Sequence, residues 1–563
     1  MSFQRVTQAV SLGIFVGLLF LAYHPPWDGL AVDFFLRLDP LVAVGTMIAD
    51  REFLGTLVPG LAVMFAAIFV GRLFCGHLCP MGTTIDALQI PLVGRIKQTA
   101  RAGSYEATTK YRPLKYIFLG AIVSAAVGGV SLIFLGSPLS LITRLYALCF
   151  YPILVLMGEQ GLALTGHWLA DVGIRQLTFY QLPQKIFATN LFVALMFAGI
   201  IALSLSQNRF WCRNLCPAGG LMALFSRRPL VGRRVGSSCT SCGMCIRSCP
   251  MGAISDDPLK TAHSECIVCL KCRDICPEGA VSFGLPRRTE PASPSLANPG
   301  RRQVLLGIGS GLMAAGLIRT NVAQPRALAG ESVLVNSTLI RPPGSLPEPR
   351  FLARCIRCGE CMRACPTNTL QPVWLKGGIE GIFSPVMTPR VGACAVKCNL
   401  CGRVCPTGAV RRLPLAEKNH AKVGSAYILR RNCLAWEQDK KCLVCDEVCP
   451  YNAVSFRPVK GLRNAAPFVL ENRCIGCGWC EARCPVQGAA AIRVNIIGQV
   501  RASTGSYIEK AKEYGYEFKG RDNVSDRLAP ETFDSHDGFQ VDAPTRKQST
   551  PRDSGLPPGF ILK

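Results

Sequence analysis

Cys239-Thr240-Ser241-Cys242-Gly243-Met244-Cys245-Ile246-Arg247-Ser248-Cys249-Pro250 has three cysteines at two-residue intervals and a fourth beside a proline. A C-x2-C-x2-C loop supplies three thiolates to one 4Fe–4S cube, and the fourth cysteine ligates the other cube of a two-cluster ferredoxin. The pattern returns at Cys266, Cys269, Cys272, Cys276-Pro277 and at Cys355, Cys358, Cys361, Cys365-Pro366. Three further copies are Cys394, Cys398, Cys401, Cys405-Pro406; Cys433, Cys442, Cys445, Cys449-Pro450; and Cys474, Cys477, Cys480, Cys484-Pro485. Twenty-four of the 29 cysteines are thereby used, so six cubes in three pairs are expected. Structural zinc would pair C-x2-C elements a dozen or more residues apart, without the fourth cysteine and proline. A disulfide framework suits a short secreted chain, not 563 residues with crowded cysteine loops.

The chain is 49% apolar and 17% charged, with positive mean hydropathy. This composition predicts a polytopic α-helical membrane domain joined to α+β ferredoxin-like modules that carry the 4Fe–4S clusters. Apolar runs that could cross a bilayer lie near Val10–Tyr23, Thr56–Val70, Tyr116–Leu135 and Ile186–Leu205. A fifth run, Leu139–Leu164, contains Arg144 and Glu159 and reads as re-entrant or interfacial. The net charge of +26 is dispersed and punctuates the apolar runs, which fits a positive-inside pattern and not a nucleic-acid surface. Arg95, Lys97, Arg101, Lys110 and Arg112 put the loop between the second and third runs on the cytoplasmic side. No Cys-x-x-Cys-His occurs, so no covalent haem is expected.

After a Pro/Ser linker, Pro286–Pro299, come Arg301-Arg302, an apolar run to Ile318, and Ala327-Leu328-Ala329. These are the parts of an internal twin-arginine export signal; an ordinary fifth helix is the alternative. Either reading sends the following residues to the outer face. The expected division is a four-helix membrane domain over residues 1–230, a cytoplasmic two-cluster ferredoxin over 231–285, and a linker with a crossing helix over 286–329. A periplasmic four-cluster ferredoxin over 330–500 and a polar, weakly ordered tail over 501–563 complete it.

Swapping fourth ligands groups Cys239, Cys242 and Cys245 with Cys276, and Cys266, Cys269 and Cys272 with Cys249. Small residues after the Cys-Pro pairs, as in Met251-Gly252-Ala253-Ile254, suit a tight turn into a short strand. Two C-x3-C-P elements follow the second and fourth runs: Cys75-Gly76-His77-Leu78-Cys79-Pro80 and Cys212-Arg213-Asn214-Leu215-Cys216-Pro217. Cys75, Cys79, Cys212 and Cys216 fit a four-thiolate site for iron–sulfur or another soft metal, a redox-active thiol set, or plain turn chemistry. His77 reads as an interfacial polar residue and Cys149 as a small buried side chain.

The longer spacings Cys394-x3-Cys398 and Cys433-x8-Cys442 resemble those of four-cluster subunits of molybdenum oxidoreductases. That resemblance implies that the second and third motifs pair, and the first with the fourth. Cys394, Cys398, Cys401 and Cys449 then share a cube, as do Cys433, Cys442, Cys445 and Cys405. Cys355, Cys358 and Cys361 go with Cys484, and Cys474, Cys477 and Cys480 with Cys365. More widely, residues up to 285 resemble the NapH/MauN family of membrane ferredoxins, and the stretch from Arg301 resembles the NapG/MauM family of exported four-cluster ferredoxins. The chain thus resembles a fusion of two subunits in the bacterial inner membrane, multi-pass, with its C-terminal module periplasmic. The resemblance implies a quinol dehydrogenase component drawing on the membrane quinol pool and serving a periplasmic cytochrome c or terminal reductase. An accessory redox protein for copper handling or metalloenzyme maturation is the alternative. A hydrocarbon core of roughly 30 Å between inner and outer cubes is too wide for a simple row of cubes.

Overall fold

The computed structural model describes residues 3–22, 31–93, 109–171, 184–285, 300–319, 339–518 and Gly520. The linker Pro286–Pro299, the loop residues Arg95, Lys97 and Arg101, and Ala327-Leu328-Ala329 lie outside the described residues.

Apolar helices build the N-terminal part. Among the described residues two are long and apolar enough to cross a membrane, Phe3–Leu21 and Pro138–Thr165; Pro40–Asp50, Gly55–Val70, Leu114–Val127 and Asn190–Ser206 are shorter. The expected Tyr116–Leu135 span stops early because Gly128 and Gly129 end its helix, Gly129 at a φ of +78°. The re-entrant reading of Leu139–Leu164 is overturned, since Pro138–Thr165 runs as continuous helix through a π turn at Tyr146–Phe150. Arg144 does not interrupt it, because its guanidinium is buried against protein. Its Nε donates to the Arg357 carbonyl at 2.9 Å and its Nη2 to the Phe134 carbonyl at 3.1 Å. Asp39 ties two helices together by capping Leu41 N at 2.9 Å and accepting from Ser137 Oγ at 2.6 Å.

Three ferredoxin units share one topology. In the first, β1 (Gly232–Val235) precedes its first cysteine and pairs antiparallel with β2 (Val281–Gly284), which follows its last. An isolated bridge, Ile254 to Thr261, lies between its two motifs. In the second unit the bracket shrinks to a Ser345–Val410 bridge, and β3 (Leu370–Pro372) pairs with β4 (Pro385–Met387) inside it. In the third, β5 (Ser425–Ile428) pairs with β8 (Ile492–Asn495) around an inner hairpin of β6 (Val454–Arg457) and β7 (Ala466–Val469). Every unit therefore closes one motif onto the next motif in sequence.

The units sit at opposite ends of the helical part. Thr56 Oγ1, at the start of Gly55–Val70, donates to the Pro406 carbonyl at 3.2 Å. At its other end the Phe69 carbonyl accepts from Val231 N at 2.9 Å. At 1.5 Å per residue this helix separates the second unit from the first by about 24 Å. The second unit shares one buried core with the helices, in which Ile356, Met362, Leu370 and Phe383 join Leu145, Ala147 and Leu148. Arg301–Arg319 packs along Leu114–Val127 through small residues, with Gly307 against Gly120 and Gly311 against Ala121 and Ser124.

The expected tail starts later than Val500. Ser506 caps a helix, Tyr507–Glu513, and Tyr507 and Phe518 are buried against the third unit and its approach. The polar appearance of this stretch hides three aromatic anchors, Tyr507, Tyr516 and Phe518.

Candidate iron–sulfur centres

Each cysteine loop is shaped by backbone in the left-handed region. Ser241 and Gly243 flank Cys242 at positive φ; so do Val268 and Leu270 at Cys269, Arg357 and Gly359 at Cys358, and Gly476 and Gly478 at Cys477. These paired αL residues curl the loop around a point, which turns its three sulfurs inward. The loops at Cys398 and Cys442, where the spacing is altered, lack the pair. Two residues past five of the six Cys-Pro prolines a glycine or asparagine takes αL, Gly252, Gly279, Asn368, Gly408 and Asn452, and past the sixth Gly488 does so one residue later. Within these turns Ala253 N donates to Cys249 Sγ and Ala453 N to Cys449 Sγ, each at 3.3 Å. Such donors favour thiolate.

In the first unit Cys239, Cys242, Cys245 and Cys276 line one cavity of about 350 Å³. Cys249, Cys266, Cys269 and Cys272 line a second of about 360 Å³. Arg233 stands between them. Its Nη2 donates to Cys245 Sγ at 3.4 Å, its Nη1 to Thr261 Oγ1 at 2.8 Å, and Cys272 faces it too. Burial pushes the Cys272 thiol up to about 11 with Arg233 opposing. A metal must therefore displace that proton to bind, so loading releases protons.

The C-terminal module departs from the pairing that the resemblance implied. Cys484 lines a cavity of about 400 Å³ with Cys433, Cys442 and Cys445. Cys449 faces Cys474, Cys477 and Cys480. Cys405 faces Cys355, Cys358 and Cys361, and Cys365 faces Cys394, Cys398 and Cys401. The first motif thus groups with the second and the third with the fourth. The physical reason is the bracket of each unit: β5–β8 pulls Cys433 toward Cys484, and the Ser345–Val410 bridge pulls Cys355 toward Cys405. The eight-residue insertion after Cys433 stays within its own unit, with Trp436 Nε1 donating to the Pro467 carbonyl at 3.2 Å.

Cys75, Cys79, Cys212 and Cys216 come together beside the first unit. Around Met251, Ala253 and Ile267, Cys75 and Cys212 of this set meet Cys249, Cys266 and Cys269. His77 is fully engaged, its Nδ1 with Thr7 Oγ1 at 2.8 Å and its Nε2 with the Val268 carbonyl at 3.1 Å, which leaves neither nitrogen for a metal. Cys149 is buried with its Sγ toward the Asn190 carbonyl. A single zinc would draw its sulfurs to about 2.3 Å from itself. A multi-iron cluster holds thiolates farther apart, and cavities ringed by four cysteines suit that donor set.

Families described as 4Fe-4S dicluster domains match residues 238–281, 354–409 and 440–488. A family described as a 4Fe-4S binding domain matches residues 53–98 and 189–238. The methylamine utilization ferredoxin-type protein MauM of Methylorubrum extorquens is 36% identical over 208 residues, which is 35% of this chain and 89% of that protein. The ferredoxin-type protein NapG of Escherichia coli is 30% identical over 216 residues, 37% of this chain and 90% of that protein. The chain belongs to the MauM/NapG family of ferredoxin-type proteins. It is also 25% identical over 220 residues to the MauN ferredoxin-type protein of Methylobacillus flagellatus, 38% of this chain and 60% of that protein. This family member is an iron–sulfur protein of electron transfer, and it also carries a stretch similar to MauN. The three dicluster matches fall within the three bracketed units; the first two cover two consecutive motifs each, and the third, 440–488, begins after Cys433.

Several residues at these centres carry no cysteine signature. Arg233 reads in the sequence as loop charge; Arg357, between Cys355 and Cys358, is buried and donates Nη1 to the Ser131 carbonyl at 2.8 Å. Lys185 donates to the Arg363 carbonyl beside Cys365. Glu265, just before Cys266, takes Lys115 Nζ at 2.5 Å and Arg72 Nη1 at 3.0 Å. Burial alone would push that carboxyl up, but Lys115 and Arg72 outweigh it and hold it below the usual range. Of these, only Glu265 and Arg357 lie beside cysteines in the sequence; Arg233 and Lys185 are brought there by the fold.

Proposed function

We propose that this chain is a quinol dehydrogenase component of the bacterial inner membrane that carries electrons from quinol through six 4Fe–4S cubes. The helices form its multi-pass membrane part and the MauM/NapG-type module faces the periplasm. One observation carries this reading: the ferredoxin units lie at opposite ends of Gly55–Val70, and the second unit is built into the helical core at Leu145–Leu148. A soluble carrier has no need of that seam. The seam brings the Cys358 loop to helices whose outer faces expose Leu195, Leu203, Phe65 and Phe69, side chains suited to lipid.

The ligand sets are Cys239, Cys242, Cys245 and Cys276; Cys266, Cys269, Cys272 and Cys249; and Cys355, Cys358, Cys361 and Cys405. The remaining three are Cys394, Cys398, Cys401 and Cys365; Cys433, Cys442, Cys445 and Cys484; and Cys474, Cys477, Cys480 and Cys449. Bound cubes supply one-electron steps; the thiolates, N–H donors and nearby arginines hold them and set their potentials. Each quinol gives up two electrons and two protons and leaves as quinone. The electrons pass singly to the cubes and on to a periplasmic cytochrome c or terminal reductase. The test is anaerobic addition of a short-chain quinol to the detergent-solubilised full chain. Loss of the visible iron–sulfur absorbance, with quinone formed at one per two electrons taken up, is expected. Full reduction by dithionite with no reduction by quinols of any potential would overturn the reading.

A further inference from the structure

Residues 72–82 and 209–219 repeat one pattern: Arg72-x2-Cys75-x3-Cys79-Pro80-x-Gly82 and Arg209-x2-Cys212-x3-Cys216-Pro217-x-Gly219. The fold repeats it in space and crosses the two copies. Arg209 Nη1 donates to the Cys75 carbonyl at 3.3 Å, and its guanidinium lies 3.5 Å from where a Cβ on Gly82 would stand. Arg72 lies 2.5 Å from the corresponding point on Gly219, which is also near the Cys212 carbonyl. In each copy the arginine of one half thus occupies space kept open by the glycine of the other. Each arginine is held by a carboxylate, Arg72 by Glu265 and Arg209 by Asp86 at 2.8 and 2.7 Å. In each copy the second cysteine accepts a backbone N–H from that same glycine, Gly82 to Cys79 and Gly219 to Cys216. The result is a local two-fold with two cysteines from each half facing its centre.

We infer that this two-fold is a binding site for a seventh iron–sulfur cluster, ligated by Cys75, Cys79, Cys212 and Cys216. Each half alone matches a 4Fe-4S binding domain, yet each holds only two cysteines, and a cluster needs four. The two halves together complete one set. All four thiols are free and buried or half-buried, so no disulfide uses them. Met222 Sδ stands 3.7 Å from Cys75 Sγ, adding to a soft lining. Two buried arginines supply positive charge beside what four thiolates would make a strongly negative centre. Turn chemistry alone would not demand four thiols where serine or alanine would serve.

The site also lies between the modules. On one side it touches Cys249, Cys266 and Cys269. On the other, Thr84, one turn beyond Cys79, bonds the Tyr146 hydroxyl at 3.2 Å. Leu148, two residues on, is in van der Waals reach of a Cβ on Gly359, in the Cys358 loop. A cluster here would stand at the first-unit end of Gly55–Val70, with the Thr84–Tyr146–Leu148 contacts leading from it toward the Cys358 loop.

Iron and acid-labile sulfide analysis of the anaerobically purified full chain tests this whether or not quinol is the donor. Six cubes alone give about 24 iron atoms; a seventh cube raises this to about 28, and a two-iron cluster to about 26. Replacing one ligand in each half, Cys75→Ala with Cys212→Ala, is expected to remove that increment of iron and sulfide. The paramagnetic signals of the other six cubes should persist, which also reports that the chain is folded. In the same variant, electrons given to the outer cubes should reach the inner ones more slowly. Wild-type iron of about 24 overturns the inference. So does a variant with undiminished iron and sulfide, or a wild-type excess that is zinc or copper instead of iron.

Discussion

Arg233 shows what a single side chain does at an iron–sulfur centre. It is buried between the two cavities of the first unit and donates to Cys245 Sγ while facing Cys272. A reduced cluster carries one more negative charge than an oxidised one, so a nearby donor cation stabilises the reduced form and raises the potential. A hydrogen bond to a charged group contributes about 1.5 kcal/mol or more, which for one electron is on the order of 60 mV. Arg233→Met should therefore lower at least one inner potential by on the order of 60 mV. An EPR-monitored redox titration checks this, and iron content should remain at the wild-type value. Nothing in the spacing of the cysteines marks Arg233. Its position is set by β1, which begins at Gly232 and carries the side chain across the unit.

At the scale of elements, the helix Arg301–Arg319 illustrates packing by small residues. Gly307, Gly311 and Ala315 recur every four residues and are its buried positions, while Leu305, Leu306, Leu312 and Met313 are exposed. A Cβ on Gly311 would stand 2.0 Å from Ser124 Oγ and 2.2 Å from the Ala121 carbonyl, distances no packed atom tolerates. A Cβ on Gly309 would meet nothing within 4 Å. Gly311→Leu should hence destabilise the chain by about 1–3 kcal/mol through overpacking, while Gly309→Leu leaves it unchanged. Thermal unfolding in detergent, followed by helical circular dichroism, separates the two. The double-lysine change at Arg301 and Arg302 belongs to the same element. On the proposed topology it keeps the positive flank but removes a twin-arginine address, so export of the C-terminal module should fail. A periplasmic reporter fused after Gly330 checks it.

At the scale of the molecule, the seam between the first ferredoxin unit and the helices rests on contacts with no slack. A Cβ on Gly76 would stand 2.3 Å from the Ile267 carbonyl, and the Gly76 carbonyl itself accepts from Gln8 Nε2 at 3.0 Å. Gly76→Ala should cost about 1–3 kcal/mol and should do so at the seam, not inside either body. The expected result is faster amide exchange over residues 263–275 and in Phe3–Leu21, with iron content unchanged. Loss of iron instead would place the strain within the cubes.

Cysteine spacing by itself determined the iron–sulfur character and the number of motifs, because thiolate geometry around a cube is a local demand that three neighbouring cysteines must meet. Hydropathy located the apolar helices to within a few residues at Thr56–Val70 and Ile186–Leu205. It misjudged Leu139–Leu164, since a buried arginine satisfied by the Phe134 carbonyl nearby and the Arg357 carbonyl far along the chain looks, in one dimension, like a break. The pairing of the outer motifs was decided only by tertiary structure. Three of four ligands come from one loop, but the fourth comes from whichever loop the strands bring near, and β5–β8 and the Ser345–Val410 bridge join residues some 65 or more positions apart. The crossed arginines at Cys75, Cys79, Cys212 and Cys216 are likewise a product of folding. The repeat is visible in the sequence, but that its two halves meet depends on helices Gly55–Val70 and Asn190–Ser206 ending at the same face, which long-range packing alone arranges.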